Sequence, residues 1–326
     1  MLHLADVAST VLRLLGDEPP RPLPSLPGAL ESFEAVVLET PLRPGPLRVD
    51  VMGAARTGRA PLSDPSRPGV LLPAGIPLMW LEWDIPSPST VVGPLRFYCL
   101  SDAILGPYAE QRPPAEREAW GRWAREVVAA LAPDPDPAWC EQTDRLVSAL
   151  ADDGILVHVA SLEPRGHRRL RLVFLLRAQH VADWLARVGW PGDVAEIARA
   201  LEQTVRPSAW VGIQLELSPG LERPLGIELP VIRDIEAACA EGTRYLREAA
   251  VLSSCGTDRG RAALSQWLGG PPDAAIDAAR FGYLKLCRGE REWAAKLYLG
   301  AQSHRVSHEM SRAARAYLNR WTGHGG

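Results

Sequence analysis

The chain has 326 residues, of which 46% are hydrophobic and 23% charged, and its formal net charge is -3. Those proportions suit a globular chain that can bury a core, and they exclude a disordered or collagen-like one. The small net charge also argues against a dedicated nucleic-acid surface, because neutralising phosphates requires a concentrated basic patch.

Taken in chain order, the first segment, Leu2 to Leu15, has helical spacing and lacks the basic start and uninterrupted apolar run of a signal peptide. No stretch approaches the roughly 20 apolar residues of a membrane span. Residues 33–40 (FEAVVLET) and 47–52 (LRVDVM) alternate with period two around the turn Pro41 to Pro46, which predicts a β-hairpin. The Pro, Gly and Ser content of 54–76 predicts a loop. A second hairpin follows, PLMWLEWD from Pro77 and PLRFYCL from Pro94, and then helices over Ala115–Leu131 and Trp139–Leu150.

The third hairpin is ILVHVAS from Ile155, the turn Glu163 to Gly166, and RLRLVFLL from Arg169. Helical spacing resumes over Val181–Val188 and, behind Pro191-Gly192-Asp193, over Val194–Val205. The fourth hairpin joins WVGIQLEL from Trp210 to LGIEL from Leu225 and leads to helices over Ile232–Val251 and Arg261–Leu268. The fifth joins FGYLKLC from Phe281 to AAKLYL from Ala294, ahead of a last helix over Val306–Trp321.

Side chains on a strand alternate between two faces, so the faces can be compared from hairpin to hairpin. One is apolar throughout: Leu47, Val49, Val51; Leu170, Leu172, Phe174; Val211, Ile213, Leu215; Leu225, Ile227, Leu229; Leu284, Leu286; Leu297, Leu299. It should pack on the helices. The other carries the cations Arg48, Arg96, Arg169, Arg171, Lys285 and Lys296, the acids Asp50, Glu82, Asp84, Glu216 and Glu228, and the rings Trp80, Tyr98, His158, Trp210, Tyr283 and Tyr298, with Gln214. A flat sheet with one solvated face would alternate in the same way. Ten strands, the need to remove sheet edges and the aromatics on the polar face favour closure. The fold class is therefore α/β: one domain over 1–326, an antiparallel ten-stranded barrel of five β-hairpins with helices outside and a polar lumen.

The five cysteines, Cys99, Cys140, Cys239, Cys255 and Cys287, are odd in number, widely spaced and form no C-x-x-C, as expected of reduced thiols in a cytoplasmic protein without a zinc framework. His304 and His308 lie four apart on a predicted helix, but no third ligand accompanies them and a solvated pair explains them. The chain has no G-x-x-x-x-G-K, G-x-G-x-x-G, H-E-x-x-H or G-x-S-x-G, which argues against P-loop, Rossmann, zincin and α/β-hydrolase chemistry.

Ten antiparallel strands in five hairpins around a polar, aromatic lumen resemble the ABBA barrel of aromatic prenyltransferases. The last repeat carries the most local likeness: Lys285 in YLKL, Lys296 and Tyr298 in AAKLYL, then a helix with His304, similar to the Lys-x-Tyr strand and following helix of indole prenyltransferases. Arg96-Phe97-Tyr98 has the same cation-x-Tyr form. The resemblance implies that Arg96, Arg169, Arg171, Lys285 and Lys296 bind a prenyl diphosphate and that Tyr98, Tyr283 and Tyr298 shield an allylic cation. It further implies that Glu82 or Glu216 takes the proton of an indole or phenol, with no metal or other cofactor.

The sequence departs from that pattern in its lumen charge, which is close to balanced where a diphosphate pocket needs a positive excess. Mixed charge suits an extended peptide, which needs both donors and acceptors. Three further pieces, RRLRLVF with WLARVGWPGD, LSPGLERPLGIEL and the AKLYL ending, resemble accessory proteins of bacterial ribosomal-peptide (RiPP) maturation clusters. That second likeness implies a precursor peptide as partner. The reading is a barrel that binds a peptide or aromatic substrate in its lumen during peptide natural-product biosynthesis, as a precursor-peptide-binding accessory protein. The alternative is a metal-independent prenyltransferase acting on an aromatic or peptide side chain. Neither needs nucleic acid or membrane.

Overall fold

The computed structural model describes residues 3–15, 26, 33–42, 48–57, 62–63, 71–73, 76, 78–87, 90–100, 114–132, 137–150, 154–205, 207, 209–218, 220–231, 262–263, 266–267, 279–289 and 292–302. Its strands are β1 (Ala35–Pro41), β2 (Asp50–Arg56), β3 (Leu62–Ser63), β4 (Leu71–Leu72), β5 (Leu78–Ser87), β6 (Thr90–Cys99), β7 (Ile155–Ser161), β8 (Leu170–Arg177), β9 (Trp210–Ser218), β10 (Gly220–Val231), β11 (Ala279–Arg288) and β12 (Trp293–Gln302). The helices are α1 (Leu4–Leu14), α2 (Pro114–Leu131), α3 (Pro137–Ser148), α4 (Ala178–Val188) and α5 (Val194–Thr204).

Ten strands form a closed barrel in the order β1-β12-β11-β10-β9-β8-β7-β6-β5-β2, with β1 hydrogen-bonded to both β12 and β2. The five predicted hairpins are all present, and every neighbouring pair is antiparallel. Strands of one sense therefore alternate around the ring, which puts the hairpin turns at one end and the helical crossovers at the other. The stretch read as a loop over 54–76 is partly ordered: Ala54–Arg56 continue β2, and β3 pairs with β4 as a small separate ladder. The helices expected over 232–251 and 306–321, with His304 and His308, lie outside the described residues, as do Leu47, Cys239 and Cys255. Of 261–268 the structure describes 262–263 and 266–267, which are helical. The described thiols, Cys99, Cys140 and Cys287, are free.

The barrel sits in a jacket of apolar side chains. Leu170, Leu172, Phe174, Val211, Ile213, Leu215, Leu284, Leu286, Leu297 and Leu299 all face outward, as their alternation predicts, and are buried with helix residues such as Val181, Leu185 and Ile197. Burying each contributes about 1.5–3 kcal/mol, so this layer dominates the favourable side of folding. The helix ends follow local chemistry. Asp193 caps α5 by accepting the Glu196 N–H at 3.0 Å, and α4 stops at Gly189 in the left-handed region.

Trp184 ties three layers together: from α4 its indole N–H donates to Leu146 O of α3 at 3.1 Å, while its ring packs on Phe174 of β8 at 4.9 Å between centroids. Trp184→Ala should therefore destabilise the protein by about 3–5 kcal/mol, read as a lowered urea midpoint with an unchanged slope. A loss below about 1 kcal/mol would show that the jacket does not depend on this contact.

Candidate ligand-binding site in the barrel lumen

Residues directly opposite one another in an antiparallel pair share a face, so the register identifies the lumen wall. Glu39 lies opposite Asp50 on β2 and Tyr298 on β12; Tyr298 lies opposite Tyr283; Lys285 opposite Glu228 and Lys296; Glu216 opposite Arg171; and Gln214 opposite Val173. A register shift between Leu156 and His158 turns both Val157 and His158 inward.

The lumen holds two chambers. The inner one, about 220 Å³ toward the crossover end, is lined mostly by apolar and aromatic groups: Met52, Trp80, Phe97, Val157, Val173, Leu175, Tyr283 and Tyr298, with His158, Gly212 and Glu228. Tyr283 and Tyr298 stack at 4.2 Å with their planes 13° apart. Burial, with Glu228 and Glu39 nearby, holds both phenols protonated well above their ordinary range. Burial likewise pushes His158 down to about 4, so its imidazole is neutral at pH 7, edge-on to Phe97. The outer chamber, about 380 Å³ at the hairpin end, is lined by charge: Glu39, Asp84, Arg165, Arg171, Glu216, Cys287, Arg288 and Lys296 among others.

Among the described residues, each cation lining the two chambers is matched to a carboxylate. Arg165 reaches from the β7–β8 turn over the rim, gripping Asp84 through Nε (2.6 Å) and Nη2 (2.5 Å) and Glu82 through Nη2 (2.6 Å). Arg171 meets Glu216 at 2.8 Å, and Arg169, 36% exposed at the rim, meets the same carboxylate at 3.4 Å. Lys285 lies 3.7 Å from Glu228 and donates to Gln214 Oε1. Glu39, 3% exposed, accepts from both Lys296 Nζ and Tyr298 Oη. At the rim, Arg288 is paired with Glu196 of α5 at 2.8 Å.

The consequence for basicity is direct. Burial alone would raise Glu82, yet Arg165 and Arg171 hold it below its ordinary value; Glu216 is lowered by Arg171 and Arg169 in the same way. Both are fixed as carboxylates and are weak bases. Burial instead raises Glu228, beside Tyr283 and only partly offset by Lys285.

Of the predicted site residues, Glu82, His158, Arg171, Gln214, Glu216, Tyr283, Lys285, Lys296 and Tyr298 line the two chambers, and Arg169 stands at the rim. Three expectations are corrected. Arg48 precedes the first residue of β2 and is exposed. Arg96 and Tyr98 face outward, because Glu82 pairs with Leu95 and Trp80 with Phe97, which places Leu95 and Phe97 on the inner face. The pairing shifts register between Glu82 and Asp84, opposite Gly93. Gly93 has φ 127°, and a Cβ there would fall 2.7 Å from Glu82 O, so this kink needs glycine. Tyr98 joins the outer core instead. Trp210 faces inward but one step beyond the inner chamber, with the Arg177 guanidinium 4.7 Å above its ring.

Sequence reasoning missed Glu39 and Arg165. β1 is buried on both faces, which hides its alternation, although Glu39 is its one acidic residue. Arg165 sits in a turn, where periodicity assigns no direction; only its place in the run of charge at the rim could have drawn attention.

Ten antiparallel strands in five hairpins, closed into a barrel with helices outside and a polar, aromatic lumen, make an ABBA-like α/β fold. Two solved structures are similar to it. One, 5-dimethylallyltryptophan synthase from Streptomyces coelicolor, is 15% identical with a TM-score of 0.47, the match covering 93% of each chain. The other, the prenyltransferase PriB in its apo form, is 14% identical with a TM-score of 0.49, covering 91% of this chain and 90% of that one. No family model and no curated protein matches the sequence. Among the described residues no helix is long and apolar enough to cross a membrane.

Asp50 offers a test of this electrostatic arrangement. Burial is the largest influence on it, the Ile85 N–H at 2.8 Å opposes that, and Glu39 and Asp84 reinforce it, leaving the carboxyl at about 6 against an ordinary 3.8. The folded protein thus binds the extra proton between about pH 4 and pH 6. Stability from this residue falls as pH rises through that window and is level above it. Asp50→Asn should be more stable than wild type by about 3 kcal/mol at pH 8, with the two converging below pH 4 in denaturant titrations. Equal stabilities at pH 8 would mean that Asp50 is well solvated.

Proposed function

We propose that the lumen binds an aromatic-bearing segment of a peptide, with the ring in the inner chamber and the flanking polar groups in the outer one. The observation that carries this reading is the matched charge: among the described residues, the six cations at the lumen and its rim, Arg165, Arg169, Arg171, Lys285, Arg288 and Lys296, all lie within 4.0 Å of carboxylates. Six acids, Glu39, Asp50, Glu82, Asp84, Glu216 and Glu228, share the space with them. A diphosphate placed there would have to displace carboxylates from their partners without gaining a positive field, whereas amides and side chains of both signs can exchange into such pairs. The biological role consistent with it is a cytoplasmic precursor-peptide-binding protein in peptide natural-product biosynthesis.

Prenyl transfer is the second reading, favoured by one feature: the stacked Tyr283 and Tyr298 stand two residues along their strands from Lys285 and Lys296, on the same face of the wall. In that reaction the C–O bond to diphosphate breaks, a bond to the aromatic carbon or nitrogen forms, and the displaced proton passes to a carboxylate. Glu228 suits that last step better than Glu82 or Glu216, since it is the more basic.

Calorimetry separates the two. Tryptophan- or tyrosine-containing peptides, including precursor peptides encoded beside the gene, should bind with low micromolar affinity or better, about -8 kcal/mol. Dimethylallyl and geranyl diphosphate should give no heat. If a prenyl diphosphate binds and Lys296→Ala abolishes that binding, the enzyme reading replaces the first.

A further inference from the structure

Glu82, Gln214 and Lys285 are the side chains that line both chambers, so the passage from outer to inner runs past these groups. Lys285 reaches it by an unusual route. Its cross-strand neighbour on β10 is Glu228, but the side chain leans toward the hairpin end, crosses β10 at Gly226 and ends on Gln214 of β9. The crossing is possible because position 226 has no side chain. A Cβ built there would fall 2.7 Å from Lys285 Cε and 3.2 Å from Gln214 Cβ. Lys285 Cε is near the far end of a flexible chain, so a methyl at 226 would move it off the wall at little cost to the fold, and the open side is the passage.

The charges at this constriction are already answered, Glu82 by Arg165 and Lys285 by Glu228. A charged ligand group held there would lose water without gaining a free counter-ion. A neutral amide can donate to Glu82 and accept from Lys285 while leaving both pairs in place.

We propose that Lys285, laid flat over Gly226, holds the passage open, and that the ring of Lys285, Gln214 and Glu82 selects aromatic groups joined through a neutral amide, as in a peptide, over free amino acids. This rests on the reading that an aromatic group enters the lumen. Gly226 is a positioning residue and Lys285 sets the specificity.

The test titrates the full chain with N-acetyltryptophanamide and with free tryptophan. The amide should bind about tenfold more tightly. Gly226→Ala should weaken the amide by about tenfold in the wild-type chain and by less than about twofold in the Lys285→Ala background, where the displaced obstruction is absent. Equal binding by wild type and Gly226→Ala, an undiminished effect of Gly226→Ala in the Lys285→Ala background, or tryptophan binding as tightly as its amide overturns the proposal. If wild type binds neither probe, the peptide-binding reading falls, and a crystal structure of Gly226→Ala decides this one separately. Lys285 swung into the passage upholds the positioning role; Lys285 still on Gln214 overturns it.

Discussion

Strand β1 pairs with β12 over seven residues on one side and with β2 over five on the other, and the contents of the lumen depend on that double pairing. Without it the ten strands would form an open sheet with two unpaired edges and a polar face in water. With it, the same face becomes an interior. Eight strands enclose roughly the volume their own side chains fill, so ten leave room for a ligand. The closing strand also delivers Glu39, whose carboxylate joins Lys296 and Tyr298 across the seam.

Enclosure changes what the charges can do. On an exposed sheet, pairs such as Arg171–Glu216 or Lys296–Glu39 would contribute little and exchange freely with solvent. Inside the barrel, removing one partner leaves the other uncompensated, so the lumen holds a network in which Arg165, Glu82, Asp84 and Asp50 depend on each other. The inner chamber is the complement: neutral His158, protonated tyrosines and apolar walls suit a ring. The two chambers grade from charged to aromatic along the barrel axis, which gives any elongated ligand one favoured orientation.

The α-helices take no part in lining the chambers among the described residues, but they fix which face is the lumen. Their apolar stripes need a continuous partner, and the outward Leu, Ile and Val ladders of β8, β9, β11 and β12 supply it. A one-residue slip would turn those ladders inward and the charges outward. The apolar jacket therefore specifies the polar interior.

Most of this was legible in the residues themselves. Period-two alternation marked nearly every strand, since a strand must present opposite faces to water or ligand and to helices, and turn residues marked the hairpins. It also put Trp80, Glu82, Glu216, Lys285 and Tyr298 on one face. What alternation could not determine is parity beyond a local irregularity, direction in a turn, or depth along the axis. On β6 the pairing sets Leu95 and Phe97 opposite Glu82 and Trp80, which sends Arg96 and Tyr98 outward, and its two register shifts cancel between the turn and that stretch. Arg165 entered the site from a turn, and Arg48 fell beyond a strand end. Those outcomes depend on long-range register and closure, which are fixed by contacts between residues far apart in the chain and so become definite only when the ring is complete.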